Sequence, residues 1–447
     1  MPSIDDTIKA HGLPYLAELW DLHQDKSLSF PDWCLRTTVD GHPFTFKRRE
    51  YLWEPYHDDH PWQVCQKSTQ MGETIRAVLR AIYKMIVLEF RSVLYYFPTD
   101  NEIKRFSKGR AKPLIMENPH IAKYITSVDE VHLKQFGKCL LYLLGMGTAL
   151  TVKSIPANMV LLDEYDEANQ EAFEKILERL GGQMEDEAPI FVHLFSNPTL
   201  PDYGVTLEFE STDQKFFKLI CPACGRYNCL EDMWMDWAGG GSKPLLIELK
   251  DGRTIRACGK CQGELNPAKG KWVAKRPSIT EKRGYHYTQL WSQTQWHRPA
   301  NILDKYYKAI AKGSLQTFIN MTIGLGYIEA ENRLSIEEVL AMCGNMGIAS
   351  SSRTPGFMGI DQGKGLHVTI GNKLPGQCAE ITHIGEYLHW EQLDGLMKDF
   401  NIIRCVVDAK PEIRNARAFS ERHKGRVWMY WDNIHQKGSY AWNEGEY

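Results

Sequence analysis

The stretch Met159-Val160-Leu161-Leu162-Asp163-Glu164, running on into Tyr165, Asp166 and Glu167, decides how the rest of this chain is read. An apolar run that stops at adjacent carboxylates is the pattern of a buried central strand. Such a strand carries its acids to the carboxyl edge of an open α/β sheet, where these sheets bind ligands. It is the Walker B of a nucleotide hydrolase: Asp163 is expected to hold Mg2+ through its water shell, and Glu164 to orient and deprotonate the attacking water. The plainer alternative is a strand that ends in a solvated acidic turn, and the choice rests on what lies upstream.

Upstream, Trp62-Gln63-Val64-Cys65-Gln66 reads as a strand entering Lys67-Ser68-Thr69-Gln70-Met71-Gly72-Glu73-Thr74, and residues 75–88 follow with helical periodicity. Strand, loop, helix is the context in which backbone amides and a positive helix end cradle phosphates. Laid on G-x-x-x-x-G-K-[ST], Gly72 and Thr74 fall in register, but Lys67 stands in the place of the first glycine and Glu73 in the place of the lysine. A lysine at the loop's entrance reaches phosphates from the other side, so the charge is displaced rather than lost. Residues 67–74 are therefore the expected nucleotide cradle, with Thr74 and Asp163 on the Mg2+. Glu73 would repel a polyanion unless it points away. Its removal is expected to leave hydrolysis in place, whereas removal of Lys67 abolishes it.

The two motifs lie about 90 residues apart, room for one or two βα units, and Ser92-Val93-Leu94-Tyr95-Tyr96-Phe97 supplies a strand between them. Ile190-Phe191-Val192-His193-Leu194-Phe195 is a further strand, ending in Ser196-Asn197-Pro198-Thr199. Ser196 is expected there as the polar group that senses the γ-phosphate or the attacking water; a strand leaving through a Pro turn is the simpler account. Residues 171–180 form a charged amphipathic helix whose polar side is a solvated face.

Composition sets the frame. A chain of 447 residues has room for two or three domains. With 53 Lys plus Arg against 56 Asp plus Glu, the net charge of −3 carries no overall nucleic-acid signature, so any polyanion site is a local patch. Eleven cysteines, five of them between Cys221 and Cys261, point to a reducing compartment and a metal rather than a disulfide scaffold. The N-terminus lacks the pattern of a signal peptide, and the longest mostly apolar run, residues 140–152, is too short to cross a bilayer.

Residues 1–45 read as a peripheral lead-in with helical character near residues 16–22 and no chemistry of their own. Tyr51-Leu52-Trp53-Glu54-Pro55-Tyr56 would pack a strand edge or stack on a base. The core of the nucleotide domain is placed at residues 46–215. From 216 to 273 the composition changes: Cys221-Pro222-Ala223-Cys224 and Cys258-Gly259-Lys260-Cys261 are two Cys-x-x-Cys turns about 34 positions apart. Four thiolates leave no open coordination position, so the expected Zn2+ is structural, in a ribbon-like insertion that unfolds on loss of Cys258 while sparing the core. Cys229 is left as a free thiol. Residues 274–346, with helical character over 302–327, return to the first domain, and 347–356 form a Ser/Gly/Pro-rich linker.

Residues 357–447 open a second α/β pattern. Phe357-Met358-Gly359-Ile360-Asp361-Gln362 is a strand carrying one acid, with strands at 366–370 and 379–387, a helix at 393–400, and Ile403-Arg404-Cys405-Val406-Val407-Asp408 ending in another acid. Acids within the first strand and at the end of the fourth are how RNase H-like nucleases hold two Mg2+ or Mn2+ ions for phosphodiester hydrolysis. Either acid alone is an ordinary strand-end residue. Glu386 and Asp432 are the nearby candidates for a third carboxylate, and without one this form is expected to bind divalent metal weakly and cut DNA slowly or not at all.

KSTQMGET, MVLLDEYDEA, FSNPT, the two cysteine pairs, FINMTIGLGY, MGIDQG and VVDAKP together resemble the large subunit of tailed-bacteriophage terminases, in the GpA-like branch with a zinc-binding insertion. The family also uses a displaced loop lysine, which fits Lys67; Glu73 and the missing third nuclease carboxylate depart from it. The resemblance implies ATP-driven translocation of double-stranded DNA into procapsids and metal-dependent cutting of the concatemer. It also implies a ring of subunits on the portal protein, a small terminase subunit as partner, and work in the cytoplasm of an infected bacterium. Two other readings stay open: a helicase-like or remodelling DNA-dependent ATPase without nuclease activity, and a non-enzymatic zinc-ribbon scaffold with a decayed nucleotide site.

Overall fold

The computed structural model describes residues 27–146, 155, 157–181, 190–329, 340–343, 347–363, 365–375 and 379–431. The helical stretch expected near residues 16–22 and the candidate Asp432 lie outside them. The chain divides into two compact units, Met1–Arg333 and Leu334–Tyr447.

The first unit is built on one mixed sheet. Its strands are β1 (Trp62–Lys67), β2 (Ser92–Phe97), β3 (Ile125–Asp129), β4 (Leu133–Phe136), β5 (Cys139–Gly145), β6 (Met159–Asp163), β7 (Phe191–Ser196), β8 (Lys215–Ile220), β9 (Gly270–Ala274) and β10 (Arg283–Tyr287). In space the order is β8-β10-β1-β7-β6-β2-β5-β4-β3, with β9 and a two-residue strand, Tyr227–Asn228, both paired to β8. From β8 to β5 all neighbours are parallel; β4 and β3 close that side antiparallel. Every residue of β2, β6 and β7 is buried, which is why these strands read as unbroken apolar runs rather than as alternating ones. Helix α1 (Glu73–Val87) follows the loop after β1, and Gly72 before it takes φ +88, a conformation glycine adopts without the Cβ penalty. Further on come α2 (Gln170–Gly181), α3 (Gly204–Glu210), α4 (Leu230–Ala238) and α5 (Pro299–Lys312).

Four expectations are corrected here. The lead-in is not peripheral: on the short helix Phe30–Leu35, Trp33 and Cys34 are fully buried in the main core. The aromatic segment forms helical turns, Glu50–Leu52 and Trp53–His57, instead of packing a strand edge, and sinks Tyr51 and Tyr56 into that core. Residues 302–327 are not one helix, because Gly313 at φ +61 ends α5 in a left-handed cap.

The fourth correction concerns the cysteine-rich segment. It is not an appendage, since β8 pairs with β10 and β9 with β8, so its two ends are strands of the main sheet. Between them, Arg256 is buried and donates from Nη2 to the carbonyls of Ser292 (2.7 Å) and His297 (3.1 Å), and Trp272 Nε1 donates to the Tyr51 carbonyl (2.8 Å). Spacing alone marks where such a segment begins and ends in the chain, not what its edges pair with.

The second unit holds a five-stranded sheet of β11 (Gly356–Gln362), β12 (Leu366–Lys373), β13 (Ala379–Tyr387), β14 (Ile402–Asp408) and β15 (Val427–Tyr430) in the order β13-β12-β11-β14-β15. The pairs β13/β12 and β12/β11 are antiparallel; β11/β14 and β14/β15 are parallel. β11 alternates buried and exposed with period two, so Met358 and Ile360 face a core completed by Leu393 and Met397 of α6 (Trp390–Asp399) and Phe419 of α7 (Ile413–Arg422). Helix α6 starts at Trp390, earlier than its periodicity suggests, because Gln392 Oε1 accepts from His389 N (3.0 Å) at its entry.

Candidate active site

In the first unit β7 lies between β1 and β6, so three strand ends meet at one edge. Lys67 closes β1 with a buried side chain. Its Nζ donates to Glu164 Oε1 (2.8 Å) and to Asn197 Oδ1 (3.1 Å), while Asn197 N donates to Glu164 Oε2 (3.3 Å). Burial pulls the Lys67 ammonium down, but Glu164 and Asp163 beside it outweigh that and hold it above its ordinary value. Glu164 sits in the left-handed region at φ +49, a strained conformation for a residue with a Cβ and one that clusters at functional sites.

Asp163 is buried at the end of β6. Its Oδ2 accepts from Tyr95 OH (3.1 Å), and its carboxyl is pushed up to about 7, by burial foremost and by Glu164, against the pull of Lys67. Asp163 Oδ1, Ser68 Oγ and Asn197 Nδ2 are all buried without a protein partner. Buried polar atoms are nearly always paired, so three orphans at one edge mark the place of a polar ligand. A cation beside Asp163 and phosphates between Ser68, Lys67 and Asn197 fit that donor and acceptor set.

The structure reassigns two of the expected contacts. Ser196 does not reach the cleft: its hydroxyl donates to the Asn197 carbonyl (3.0 Å) and accepts from Asp166 N (3.1 Å). Asn197, one residue on, instead lies against Lys67 and Glu164. Glu73 lies in the loop's register, yet its side chain is fully buried beneath it. Arg76 clamps it from Nη2 (2.7 Å) and Nε, and His193 Nε2 stands 2.7 Å from Oε1. Burial opposes the Glu73 charge, but Arg76 and His193 hold the carboxyl far below the usual range. Burial, followed by Arg76, lowers the His193 imidazole to about 4. Cys65, Glu73 and His193 stand at metal-ligand spacing, but the guanidinium of Arg76, 3.4 Å from Cys65 Sγ, occupies the centre where an ion would go.

Sequence reading missed three further features. The site opens into a cleft of about 820 Å3 lined by Thr69, Gln70, Met71, Gly72, Glu73, Thr74, Glu164 and Asn197, and also by Asp40 and His42 of the lead-in and Lys47, Arg48 and Arg49 just after it. A run of three cations at 47–49 was the signal available there. Arg110, on the turn after the helix Asp100–Phe106, lines the same cleft. Asp166, expected only as part of an acidic run, anchors the next loop: it accepts from Thr199 N (2.8 Å), Thr199 Oγ1 (2.9 Å) and Val205 N (2.7 Å).

Cys221, Cys224, Cys258 and Cys261 converge, with all four sulfurs within 4.8 Å of one another, and Gly225 at φ +70 permits the first tight turn. Cys229 stands apart, 3.3 Å from Glu231 Oε2. In the second unit Asp361 and Asp408 lie on adjacent parallel strands, one step past the paired Ile360 and Val407. Asp361 is also opposite His367, which is opposite Glu386, and all three are exposed. Among the described residues these acids do not form a group of three at metal-ligand spacing.

A run of parallel strands that brings a buried loop lysine, two carboxylates and a polar strand end together beside a cleft of about 820 Å3 is the arrangement by which phosphoryl-transfer enzymes hold a nucleoside triphosphate. Residues 57–275 match the family model described as the phage terminase large subunit gpA, ATPase domain. That segment, just under half of the chain, is similar to the ATPase domain of phage terminase large subunits. Among solved structures, the large terminase of bacteriophage HK97 is similar at 10% identity and TM-score 0.43, over 91% of this chain and 85% of that one. The ATPase domain of the Thermus phage P74-26 large terminase gives 8% identity and TM-score 0.38 over 64% and 95%. The large terminase of the thermophilic bacteriophage D6E, solved with ADP, gives 11% and 0.35 over 88% and 83%. No curated protein matches.

Proposed function

We propose that the first unit hydrolyses ATP to drive double-stranded DNA into a procapsid. The observation that carries this reading is the contact of Lys67 with both Glu164 and Asn197 beside three orphaned polar atoms. Lys67, the Ser68 hydroxyl and the amides of residues 70–74 bind the β- and γ-phosphates. Thr74 and Asp163 would hold Mg2+, which would supply charge neutralisation at the phosphoryl oxygens. Phosphates arriving at Lys67 compete with Glu164 for the same ammonium, which leaves the Glu164 carboxylate to orient the water and take its proton. Asn197 Nδ2 then has an acceptor in the γ-phosphate or that water. DNA-stimulated ATP hydrolysis by the purified chain tests this reading; absence of turnover with and without DNA would overturn it. A DNA-dependent remodelling ATPase uses the same chemistry, and translocation into procapsids with portal and small subunit separates the two.

The four converging sulfurs favour one structural Zn2+. Because the segment that bears them shares the main sheet, its loss is expected to reach the ATPase site, unlike an independent insertion. Cys258→Ser should lower bound zinc from about one per chain to near zero and cut ATP turnover at least several-fold. Full turnover in zinc-free protein would show that the segment folds apart from the nucleotide site.

The second unit is read as an RNase H-like nuclease, supported by the adjacent Asp361 and Asp408 and by a sheet that is antiparallel on one side of β11 and parallel on the other. With two carboxylates in place of three, plasmid cleavage in Mn2+ is expected to be slow and to vanish in Asp361→Ala or Asp408→Ala. Robust cleavage that survives Asp361→Ala would place the nuclease elsewhere.

A further inference from the structure

After α5 the chain makes one wide turn, Ile319–Ile323, in which Gly324 N donates to the Ile319 carbonyl (2.8 Å), five residues back. Turns of this kind are rare and cluster at functional sites. Carbonyls at this helix end have no partner further along the helix and are left for other segments. The Met321 carbonyl accepts from Thr69 N (3.0 Å) and Thr69 Oγ1 (3.1 Å) of the phosphate loop. The Gly324 carbonyl accepts from Gln66 Nε2 (2.7 Å) on β1, and His286 Nε2 lies 2.9 Å from it. A Cβ on Gly324 would stand 2.6 Å from the Tyr287 carbonyl oxygen and 2.9 Å from Ser68 N, so this segment lies directly behind the loop's entrance.

The same turn also reaches the opposite wall. Asn320 is buried, and its Nδ2 donates to the Thr199 carbonyl (2.7 Å). Thr199 in turn donates twice to Asp166, two residues after Glu164, and follows Asn197 by two. One turn is thus bonded to the loop that follows Lys67 and to the 197–199 loop, which Thr199 ties to Asp166 on the segment that carries Glu164.

Resting on the ATPase reading above, we infer that the turn Ile319–Ile323 is a strut that fixes the separation of the phosphate loop from the water-activating carboxylate, with Asn320 as its positioning residue. Loss of the Asn320 donor frees the 197–199 loop to drift from Lys67. Phosphates still find the 67–74 cradle, whereas Glu164 and Asn197 no longer meet the water in register. Small misplacement of this kind lowers turnover more than binding, because near-attack geometry is lost while ground-state contacts persist.

The test measures kcat and KM for ATP, the affinity for a fluorescent ATP analogue and the melting temperature. The variants are Asn320→Ala, Asn320→Asp (which keeps the volume but removes the donor), Thr199→Val and the double variant Asn320→Ala/Thr199→Val. The expected result is a kcat at least ten-fold down in both Asn320 variants, with KM and analogue affinity within about three-fold of the parent. The double variant should be no slower than the slower single one, since both act along one path. Wild-type kcat in a folded Asn320 variant, single effects that multiply, or a kcat loss accompanied by an equal loss of nucleotide affinity would overturn the strut while leaving the ATPase reading intact. A wild-type chain without turnover would overturn the ATPase reading, and the strut with it.

Discussion

Glu164→Gln is expected to lower ATP turnover by at least about 100-fold, within the range seen when a positioned general base is removed, while nucleotide affinity stays within a few-fold of wild type. The amide keeps the shape and a hydrogen bond acceptor for Asn197 N but cannot take a proton, so only the step that activates water is lost. The variant also tests the ground-state pairing. Lys67 loses its anionic partner, so phosphates no longer compete with a carboxylate, and affinity should hold or rise slightly. Lys67→Ala is the opposite case, losing both binding and turnover. Steady-state kinetics with parallel binding of a fluorescent analogue separates the outcomes; full turnover in Glu164→Gln would mean that β6 does not carry the base.

The second large effect is on stability, and it reverses what the motif alone suggests. Glu73 occupies the position at which phosphate loops ordinarily carry lysine, so Glu73→Lys looks like a repair. It is expected to unfold the first unit instead. The Glu73 carboxylate is fully buried against Arg76, which also donates to the Pro55 carbonyl (2.8 Å) and to Gln63 (2.9 Å). An incoming lysine would set a second cation against that guanidinium. Even Glu73→Ala leaves Arg76 charged, buried and without its carboxylate, a loss of about 3–5 kcal/mol. That corresponds to a fall in melting temperature of roughly 5–15 °C. The earlier expectation that Glu73→Ala spares hydrolysis is thus confined to temperatures below its lowered midpoint. Thermal unfolding followed by circular dichroism checks this, and an unchanged midpoint in Glu73→Ala would show that the pair adds nothing to stability. The same network carries a pH dependence. Because Arg76 and His193 hold the Glu73 carboxyl below its unfolded value, its contribution is present above that unfolded value and is lost as pH falls toward the folded one.

How much of this was legible beforehand depended on range. β2, β6 and β7 announced themselves as apolar runs because parallel strands covered on both faces need no polar positions, and the observed bounds differ from those expected by a residue or so. The alternation in β11 likewise fixed which side of it is core. Lys67 was found because the phosphate-loop pattern places it at the loop's entrance, in the position of the first glycine. Two cysteine pairs carry their own turn geometry, which is local.

What the sequence by itself determined is therefore what neighbouring residues determine: which runs are strands, where each ends, and which polar groups stand at those ends. Only the tertiary structure decided which ends meet. The placing of β7 between β1 and β6 rests on packing among residues far apart in the chain, and it brings Asn197, rather than Ser196, against Lys67. Side chains alternate along a strand, so the choice between two adjacent polar residues turns on which face looks into the cleft, and no local pattern records that. Glu73 is the same lesson in charge. A carboxylate in a phosphate loop reads as repulsion until the fold supplies Arg76 and His193 beneath it, because the free energy of a buried charge is set by its partners and not by its place in a motif.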